Sequence, residues 1–172
     1  MKKLNDIVLF TCNEGGHFSQ MMALRELFGD YPSVLLTDNS RASKDLKGLE
    51  KLQDVIVVGG TATTRKEKKG AKHADSRWTY FWGYVALFKE CRQALKKVRP
   101  RVIVTTGSNI AVPTFIYGRM MGCKLIFIES RAHVYGKTLT GKLIARLSNK
   151  VIVQWPEMLK IYPQASYYGV LV

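Results

Sequence analysis

The sequence has few cysteines, few acidic residues and no long apolar run. Its three cysteines, Cys12, Cys91 and Cys123, are far apart and odd in number, which excludes a disulfide framework and a paired metal-ligand motif and fits a reducing compartment. No apolar segment reaches the ~20 residues that span a bilayer. No small-residue cleavage site follows the basic N-terminus, so we predict no signal peptide, and any contact with a membrane is expected to be peripheral.

The shortage of acidic residues leaves a large positive charge. Asp and Glu number 13 against 27 Lys and Arg, which gives a formal net charge of +14. Such a surplus gives information about what the protein binds rather than about its fold. It indicates a partner with phosphate groups, which could be nucleic acid, anionic lipid or a diphosphate-bearing substrate. Hydrophobic types at 47% and charged types at 23% are close to the globular average, which excludes collagen-like, disordered and coiled-coil classes. The 172 residues show no repeat, low-complexity segment or linker, so we expect one domain over 1–172.

Short apolar runs alternate with helical patterns along the chain, which predicts βαβ units and a single Rossmann-like α/β domain with a mostly parallel sheet. The predicted strands cover 7–12, 33–37, 55–58, 102–105, 124–129, 151–153 and 167–172. One helix is predicted to follow residue 16, and others cover 41–52, 78–98 and 138–147. A further predicted helix has Pro113 near its start, and the basic stretch 65–77 is predicted to be a loop.

Polar clusters follow four of these predicted strands. They cover residues 13–17, 59–61, 106–109 and 129–131. Because ligands of open parallel sheets bind beyond the carboxyl ends of the strands, we expect all four clusters to face one crevice.

The Gly15-Gly16-His17 sequence ends the first strand and opens a helix. Two glycines allow a close backbone approach to a ligand, and a helix N-terminus offers free N–H groups to an anion. His17 would then lie over the crevice as a base or phosphate donor. The alternative is that the glycines only form a tight turn and His17 is a polar cap.

Two further clusters suit the same kind of ligand. Gly107, Ser108 and Asn109 precede a helix and could bind a sugar or diphosphate, although helix capping is the simpler explanation. Glu129 could hold a sugar hydroxyl and Arg131 a phosphate, whereas the alternative for this pair is a local ion pair at the sheet edge.

The predicted helix 78–98 is apolar almost all round in its first half. One stripe faces the core and comprises Tyr84, Leu87, Phe88, Cys91, Leu95 and Val98. A second stripe comprises Trp78, Phe81, Trp82 and Val85, with Lys and Arg on both flanks. Apolar aromatics flanked by cations favour a helix lying in the headgroup region of an anionic membrane. The alternative is a core or protein interface with a solvated charged face.

Several of these motifs together resemble a known family, the acceptor-binding and membrane-anchoring subunits of split UDP-sugar transferases. In eukaryotes such a subunit belongs to the UDP-N-acetylglucosamine transferase of dolichol-linked oligosaccharide synthesis, and bacterial relatives serve capsule and exopolysaccharide synthesis. The residues that carry the resemblance are Gly15-Gly16-His17, the 106–113 segment, Ile128-Glu129-Ser130-Arg131-Ala132, Leu139-Thr140-Gly141-Lys142, Gln154-Trp155-Pro156-Glu157-Met158, Tyr162-Pro163 and Tyr168-Gly169.

The resemblance implies one half of a GT-B glycosyltransferase, active only as a heterodimer with a separate catalytic subunit that binds the UDP-sugar. It implies a polyprenyl-diphosphate-linked sugar acceptor and a peripheral position on the cytoplasmic face of the plasma membrane. It implies no cofactor and no metal. His17 would handle a proton or contact the acceptor, and Glu129 would orient a sugar hydroxyl. The acceptor site would be lined by Gly15, Gly16, Gly107, Ser108, Asn109 and Arg131.

Two departures from the family pattern bear on this expectation. Eukaryotic members carry an N-terminal membrane span that this sequence lacks, which favours a bacterial relative. Asn13 and Glu14 replace the usual small residues before the glycines, and a carboxylate near a diphosphate is unfavourable unless it points away.

Two other classes of function remain as alternatives. A basic α/β nucleic-acid-binding protein is supported by charge alone, and because no recognised motif is present we expect no nucleic acid. A complete small hydrolase using His17 and Glu129 lacks a G-x-S-x-G nucleophile turn.

Overall fold

The computed structural model describes residues 6–38, 49–59 and 76–171, with side chains described from residue 81 onward in the last range. Within these ranges the strands are β1 (Val8–Cys12), β2 (Ser33–Thr37), β3 (Asp54–Val57), β4 (Val102–Thr105), β5 (Lys124–Ile128), β6 (Lys150–Val153) and β7 (Ala165–Tyr167). The α-helices are α1 (Gly16–Met22), α2 (Ser76–Val98), α3 (Ala111–Met120) and α4 (Leu139–Leu147), and two 3₁₀ turns cover Arg25–Gly29 and Pro156–Lys160.

The seven strands form one parallel sheet in the order β3-β2-β1-β4-β5-β6-β7. The chain reverses its direction of winding between β1 and β4, where Val8 is in register with Ser33 on one side and Val102 on the other. All carboxyl ends lie at one edge, which we call the carboxyl edge. The reversal is at the place where doubly wound sheets bind ligands.

Alternate side chains of each strand enter opposite cores. Leu9 joins the core beneath α2, α3 and α4, whereas Phe10 joins the core covered by α1 and the Arg25–Gly29 turn. Burial on both faces explains why the central strands are continuously apolar rather than alternating.

Two predicted elements differ in the structure. The helix after residue 16 ends at Met22, where the Leu24 N–H turns back to the Met21 carbonyl at 3.0 Å, and Leu27 is exposed rather than on a buried helical face. The strand predicted at 167–172 is wrong, because the last strand is β7 and Gly169 bends the chain away with a φ of 104°.

Two other predicted segments fall largely outside the described residues. Of the helix predicted at 41–52, residues 41–48 lie outside them and 49–52 form a turn. Of the basic loop predicted at 65–77, residues 65–75 lie outside them, and the last two residues begin α2. No described helix combines the length and apolar character needed to cross a bilayer.

Candidate functional site

His17 and Thr106 join the loops that follow β1 and β4. The His17 Nδ1 lies 2.8 Å from the Thr106 carbonyl oxygen, and the Thr106 hydroxyl donates to the His17 carbonyl at 2.9 Å. Gly107 makes this approach possible, because a Cβ there would lie 3.2 Å from His17 Cε1 and its φ is 102°. The two predicted glycine loops therefore meet at the reversal point of the sheet.

The Thr106 carbonyl also determines the chemistry of the imidazole. A carbonyl oxygen only accepts, so Nδ1 carries the hydrogen in this contact. In the neutral ring Nε2 then holds the lone pair and is the nitrogen that can accept a proton. The N-cap residue of α1 is Gly15 and no side chain caps this helix, so His17 is not a helix cap.

The first loop borders open space. Gly15 has a φ of 87°, a backbone conformation that favours glycine, and a Cβ at Gly15 or Gly16 would meet nothing within 4 Å. The backbone of this loop is therefore open where a side chain would lie.

The second loop is strained and carries a hydroxyl without a partner. Ser108 has a φ of 99°, and its buried Oγ makes no hydrogen bond within the described part of the chain. Asn109 is exposed. The N-cap residue of α3 is Ile110, which makes no side-chain capping bond, so the simpler explanation of this cluster as a helix cap does not hold.

Asn13 and Asp38 brace the first loop from the side. The Asn13 amide donates to Asp38, its carbonyl oxygen accepts the Ile110 N–H at 3.3 Å, and the Glu14 N–H donates to Asp38 at 2.8 Å. The Glu14 side chain is exposed. Burial raises the pKa of Asp38, and the Glu14 charge adds to the rise. Sequence reasoning missed Asp38, although its position directly after β2 was an available signal.

Glu129 is enclosed by protein. Only 4% of it is exposed, its Oε1 accepts the Ser130 N–H at 2.9 Å, and its Oε2 accepts the Tyr162 hydroxyl at 2.6 Å. Gly141 lets α4 lie directly over this pair, since a Cβ there would be 2.8 Å from the Tyr162 hydroxyl and 3.0 Å from Glu129 Oε2. Burial, followed by the Glu129 carboxylate, raises the pKa of Tyr162 and keeps its hydroxyl a donor.

Two buried glutamines connect the 129–131 loop to α1 and to the end of β6. Gln20 Oε1 accepts the Arg131 N–H at 3.0 Å, and its amide donates to the Ser130 hydroxyl at 3.2 Å. The Gln154 amide donates to Gln20 Oε1 at 2.7 Å, and its carbonyl oxygen accepts the Leu171 N–H at 2.9 Å. We call this pair the glutamine bridge. It was missed, although a glutamine on the apolar face of α1 and another directly after β6 were available signals.

The predicted site residues thus form two groups. His17, Gly107 and Ser108 meet at the β1–β4 reversal, whereas Glu129 belongs to a buried pair under α4. No hydrogen bond between described residues joins His17 to Glu129. Arg131 has an exposed side chain, and its carbonyl accepts the Trp155 indole N–H at 2.7 Å.

The aromatic stripe of α2 is on the surface. Phe81 is 56% exposed and Trp82 62%, whereas Leu87 and Leu95 are buried. The Trp78 backbone is helical, but its side chain lies outside the described residues. A core position is therefore excluded for Phe81 and Trp82. In the described part of the chain, no cluster of three or more His, Cys, Asp or Glu could hold a metal.

Comparison with known proteins identifies the family. Residues 8–171 match the family described as oligosaccharide biosynthesis protein Alg14 like. The chain belongs to the Alg14-like family. A relative from Candida albicans, named UDP-N-acetylglucosamine transferase subunit ALG14, is 32% identical, with 92% of this chain and 74% of the relative covered. The protein of the same name from Mus musculus is 21% identical over 96% of this chain and 82% of the relative.

Solved structures show the same fold. MurG of Acinetobacter baumannii matches 88% of this chain with a TM-score of 0.63 at 16% identity, and the calicheamicin glycosyltransferase CalG4 matches 98% with a TM-score of 0.61 at 11% identity. The chain spans 42% and 53% of those two chains. The predicted Rossmann-like α/β domain, resembling the N-terminal half of a GT-B glycosyltransferase, is confirmed for this member of the Alg14-like family.

Proposed function

We propose that this chain is the acceptor-binding, membrane-associated subunit of a two-component UDP-sugar transferase. It would act in lipid-linked oligosaccharide synthesis or in bacterial capsule and exopolysaccharide synthesis, at the cytoplasmic face of the plasma membrane. Its relatives are named subunits of UDP-N-acetylglucosamine transferase, which supports a separate catalytic subunit that binds the UDP-sugar. The observation that carries the proposal is the His17–Thr106 contact, which leaves the Nε2 nitrogen of His17 free to take a proton beside the open backbone of Gly15 and Gly16.

In the proposed reaction the acceptor hydroxyl loses its proton to His17 Nε2 as its oxygen bonds to the donor sugar and UDP leaves. The diphosphate of the acceptor would lie on the 107–109 loop, where the Ser108 hydroxyl has no partner in the described part of the chain and α3 begins without a side-chain cap. Arg131 would add a charge-assisted contact to the same diphosphate. Glu129 would act on the sugar only if a hydroxyl shares its oxygens with Tyr162 and Ser130.

The test replaces His17 in the reconstituted pair and measures radiolabelled sugar transfer to the membrane acceptor. A lost general base costs about 10² to 10⁴ in rate, so His17→Ala should fall by that factor at saturating UDP-sugar. His17→Asn is the matched control, since its amide can still donate to the Thr106 carbonyl but cannot act as a base. Full activity in folded His17→Asn would make His17 structural and remove the basis of the proposal.

The acceptor contact is tested with Arg131→Ala. Its guanidinium is exposed and would be lost without disturbing the backbone bonds of Arg131 to Gln20 and Trp155. We expect mainly a raised KM for the lipid-diphosphate acceptor. A reduced kcat with an unchanged KM would argue against diphosphate binding at this position.

Membrane association is tested with Trp78, Phe81 and Trp82 changed together to Ser. Each change removes apolar area worth about 25 cal/mol per Å² at the interface. Liposome sedimentation should weaken, and wild-type binding should fall with added salt because the basic flanks act through a screened field. Unfolding of this variant would show that the stripe supports the fold, and preferential binding of the wild type to single-stranded RNA would favour the nucleic-acid alternative.

A further inference from the structure

Helix α4 carries a second exposed apolar surface. Leu139 is 84% exposed and Leu143 41%, and they share a face because they are one helical turn apart. Tyr135, which is 85% exposed, precedes them in the loop that leads into the helix. We call these three residues the α4 stripe. The opposite face of α4 is buried through Ile144 and Ala145.

The segment that carries the α4 stripe has charges of one sign. Between Glu129 and Glu157 the chain has no acidic residue, but it has five cations: Arg131, Lys137, Lys142, Arg146 and Lys150. The first four of these are exposed. An apolar face on a segment whose charged residues are all Lys and Arg is complementary to an anionic lipid surface.

The α4 stripe lies at the same end of the molecule as the exposed aromatics of α2. Helices α2, α3 and α4 lie side by side on one face of the sheet, with α3 between the other two. Each begins at the carboxyl edge, as right-handed crossovers of a parallel sheet require. Leu139 is the first residue of α4, and Phe81 and Trp82 are in the first third of α2. The two exposed apolar surfaces thus flank the start of α3, which follows the 107–109 loop.

We infer that the α4 stripe is a second bilayer contact that, together with α2, sets the carboxyl edge against an anionic membrane. The inference rests on the membrane association proposed above and adds the orientation that α2 alone leaves undetermined. Two separate contacts fix the tilt of the domain, so that a lipid-linked diphosphate reaches the 107–109 loop from the bilayer. Nucleic acid fits this surface poorly, because leucines gain little from a phosphate backbone.

The first experiment measures binding to vesicles of phosphatidylcholine containing about a quarter phosphatidylglycerol. Changing Tyr135, Leu139 and Leu143 to Ser should weaken binding by about tenfold or more, since three apolar side chains leave the interface. Lys142→Gln with Arg146→Gln should weaken it by about fivefold per charge on these vesicles and little on pure phosphatidylcholine. Met120→Ser is the matched control, because Met120 is 77% exposed at the opposite end of α3, and it should bind as the wild type.

The second experiment changes only one surface residue at a time and measures the emission of an attached dye. Because Cys12, Cys91 and Cys123 are all buried, an environment-sensitive dye can be attached selectively to Leu139→Cys or to Met120→Cys. Dye emission at 139 should shift to the blue when the anionic vesicles are added, and emission at 120 should not. This readout holds even if the triple variant folds poorly.

The outcomes separate this inference from the proposal it rests on. If the α4 variant binds vesicles like the wild type while Phe81→Ser with Trp82→Ser loses binding, the α4 contact is wrong and membrane association stands. If the wild type itself does not bind, both are wrong. A dye at 139 that shifts with the catalytic subunit or with single-stranded RNA, but not with vesicles, would assign the α4 stripe to that partner and overturn the inference.

Discussion

Glu129 and Tyr162 form a buried pair beneath α4, and their burial defines what each can do. Both carboxylate oxygens already accept hydrogen bonds, and the Tyr162 hydroxyl donates one of them at 2.6 Å. A residue held this way supports the 129–131 loop that it begins, whatever it contributes to a bound sugar. Exposed loop residues are usually dispensable for folding, but the burial of Glu129 means that this rule does not apply to it.

Glu129→Ala should lower the free energy of unfolding by about 1–3 kcal/mol, because it leaves the Tyr162 hydroxyl buried without its partner. Glu129→Gln retains an acceptor and should cost less. Adding Tyr162→Phe to Glu129→Ala should recover part of the loss, since both members of the pair are then removed. Urea unfolding measures all of these variants, and equal midpoints for Glu129→Ala and the wild type would show that the pair contributes nothing.

Asp38 gives a pH dependence whose sign follows from its burial. Burial, with a contribution from Glu14, raises its pKa in the folded state, so the folded protein binds this proton more tightly than the unfolded chain. The contribution of Asp38 to the free energy of unfolding should therefore fall as pH rises from its ordinary pKa of about 3.9 through the folded value. Asp38→Asn cannot titrate, so its stability relative to the wild type should increase as pH rises above about 4. Parallel stability curves for the two proteins would contradict this.

At the scale of elements, the glutamine bridge connects α1, the 129–131 loop, the end of β6 and the C-terminal segment. Gln20 and Gln154 are 6% and 2% exposed. Buried amides with all partners present rigidify their surroundings, whereas one missing partner leaves the others unsatisfied. The segment after β7 is therefore coupled to the backbone of Arg131.

Gln154→Ala should loosen both ends of that connection. Hydrogen exchange should speed up at the Leu171 amide, whose acceptor is removed, and at the Arg131 amide, whose acceptor Gln20 loses a partner. The amide of Ile103 in β4 should be unaffected and serves as the internal control. Faster exchange at Leu171 alone would show that the bridge does not transmit the change.

At the scale of the whole molecule, positive charges at the two edges of the sheet differ in their surroundings. Two ion pairs of the described residues, Lys97 with Asp54 and Arg101 with Asp6, lie toward the edge opposite the site. The cations around α4 lie toward the carboxyl edge. The polar loops after β1 and β4 and the exposed apolar residues of α4 thus lie toward the same end.

The purified chain should show no measurable affinity for UDP-sugars, because the proposed division of labour assigns the nucleotide to the other subunit. It should co-purify with that subunit, and deletion of residues 169–172 should reduce the yield of complex, since the sequence is apolar after the exposed Tyr168. Calorimetry with UDP-sugar and affinity co-purification are the measurements. Tight UDP binding by this chain alone would rule out a split enzyme.

The sequence by itself determined the strand and helix order, because each apolar run and each helical period is a local property of the chain. It also predicted that the polar clusters after β1, β4 and β5 lie at one edge, since a parallel βαβ chain puts every strand end there, but residues 60–61 of the fourth cluster lie outside the described residues and Glu129 is buried apart from His17. It could not order the strands, and so could not show that the loops after β1 and β4 are neighbours that orient His17 through Thr106. The prediction of a strand at 167–172 was wrong because an apolar segment has the same sequence pattern whether it pairs with a strand or bends away from the sheet. In the structure, the positive φ of Gly169 and the hydrogen bond from Leu171 to Gln154 direct this segment away. Only the tertiary structure buried Glu129 and exposed the α2 aromatics, because burial depends on what the rest of the chain brings against a residue, and no local pattern contains that.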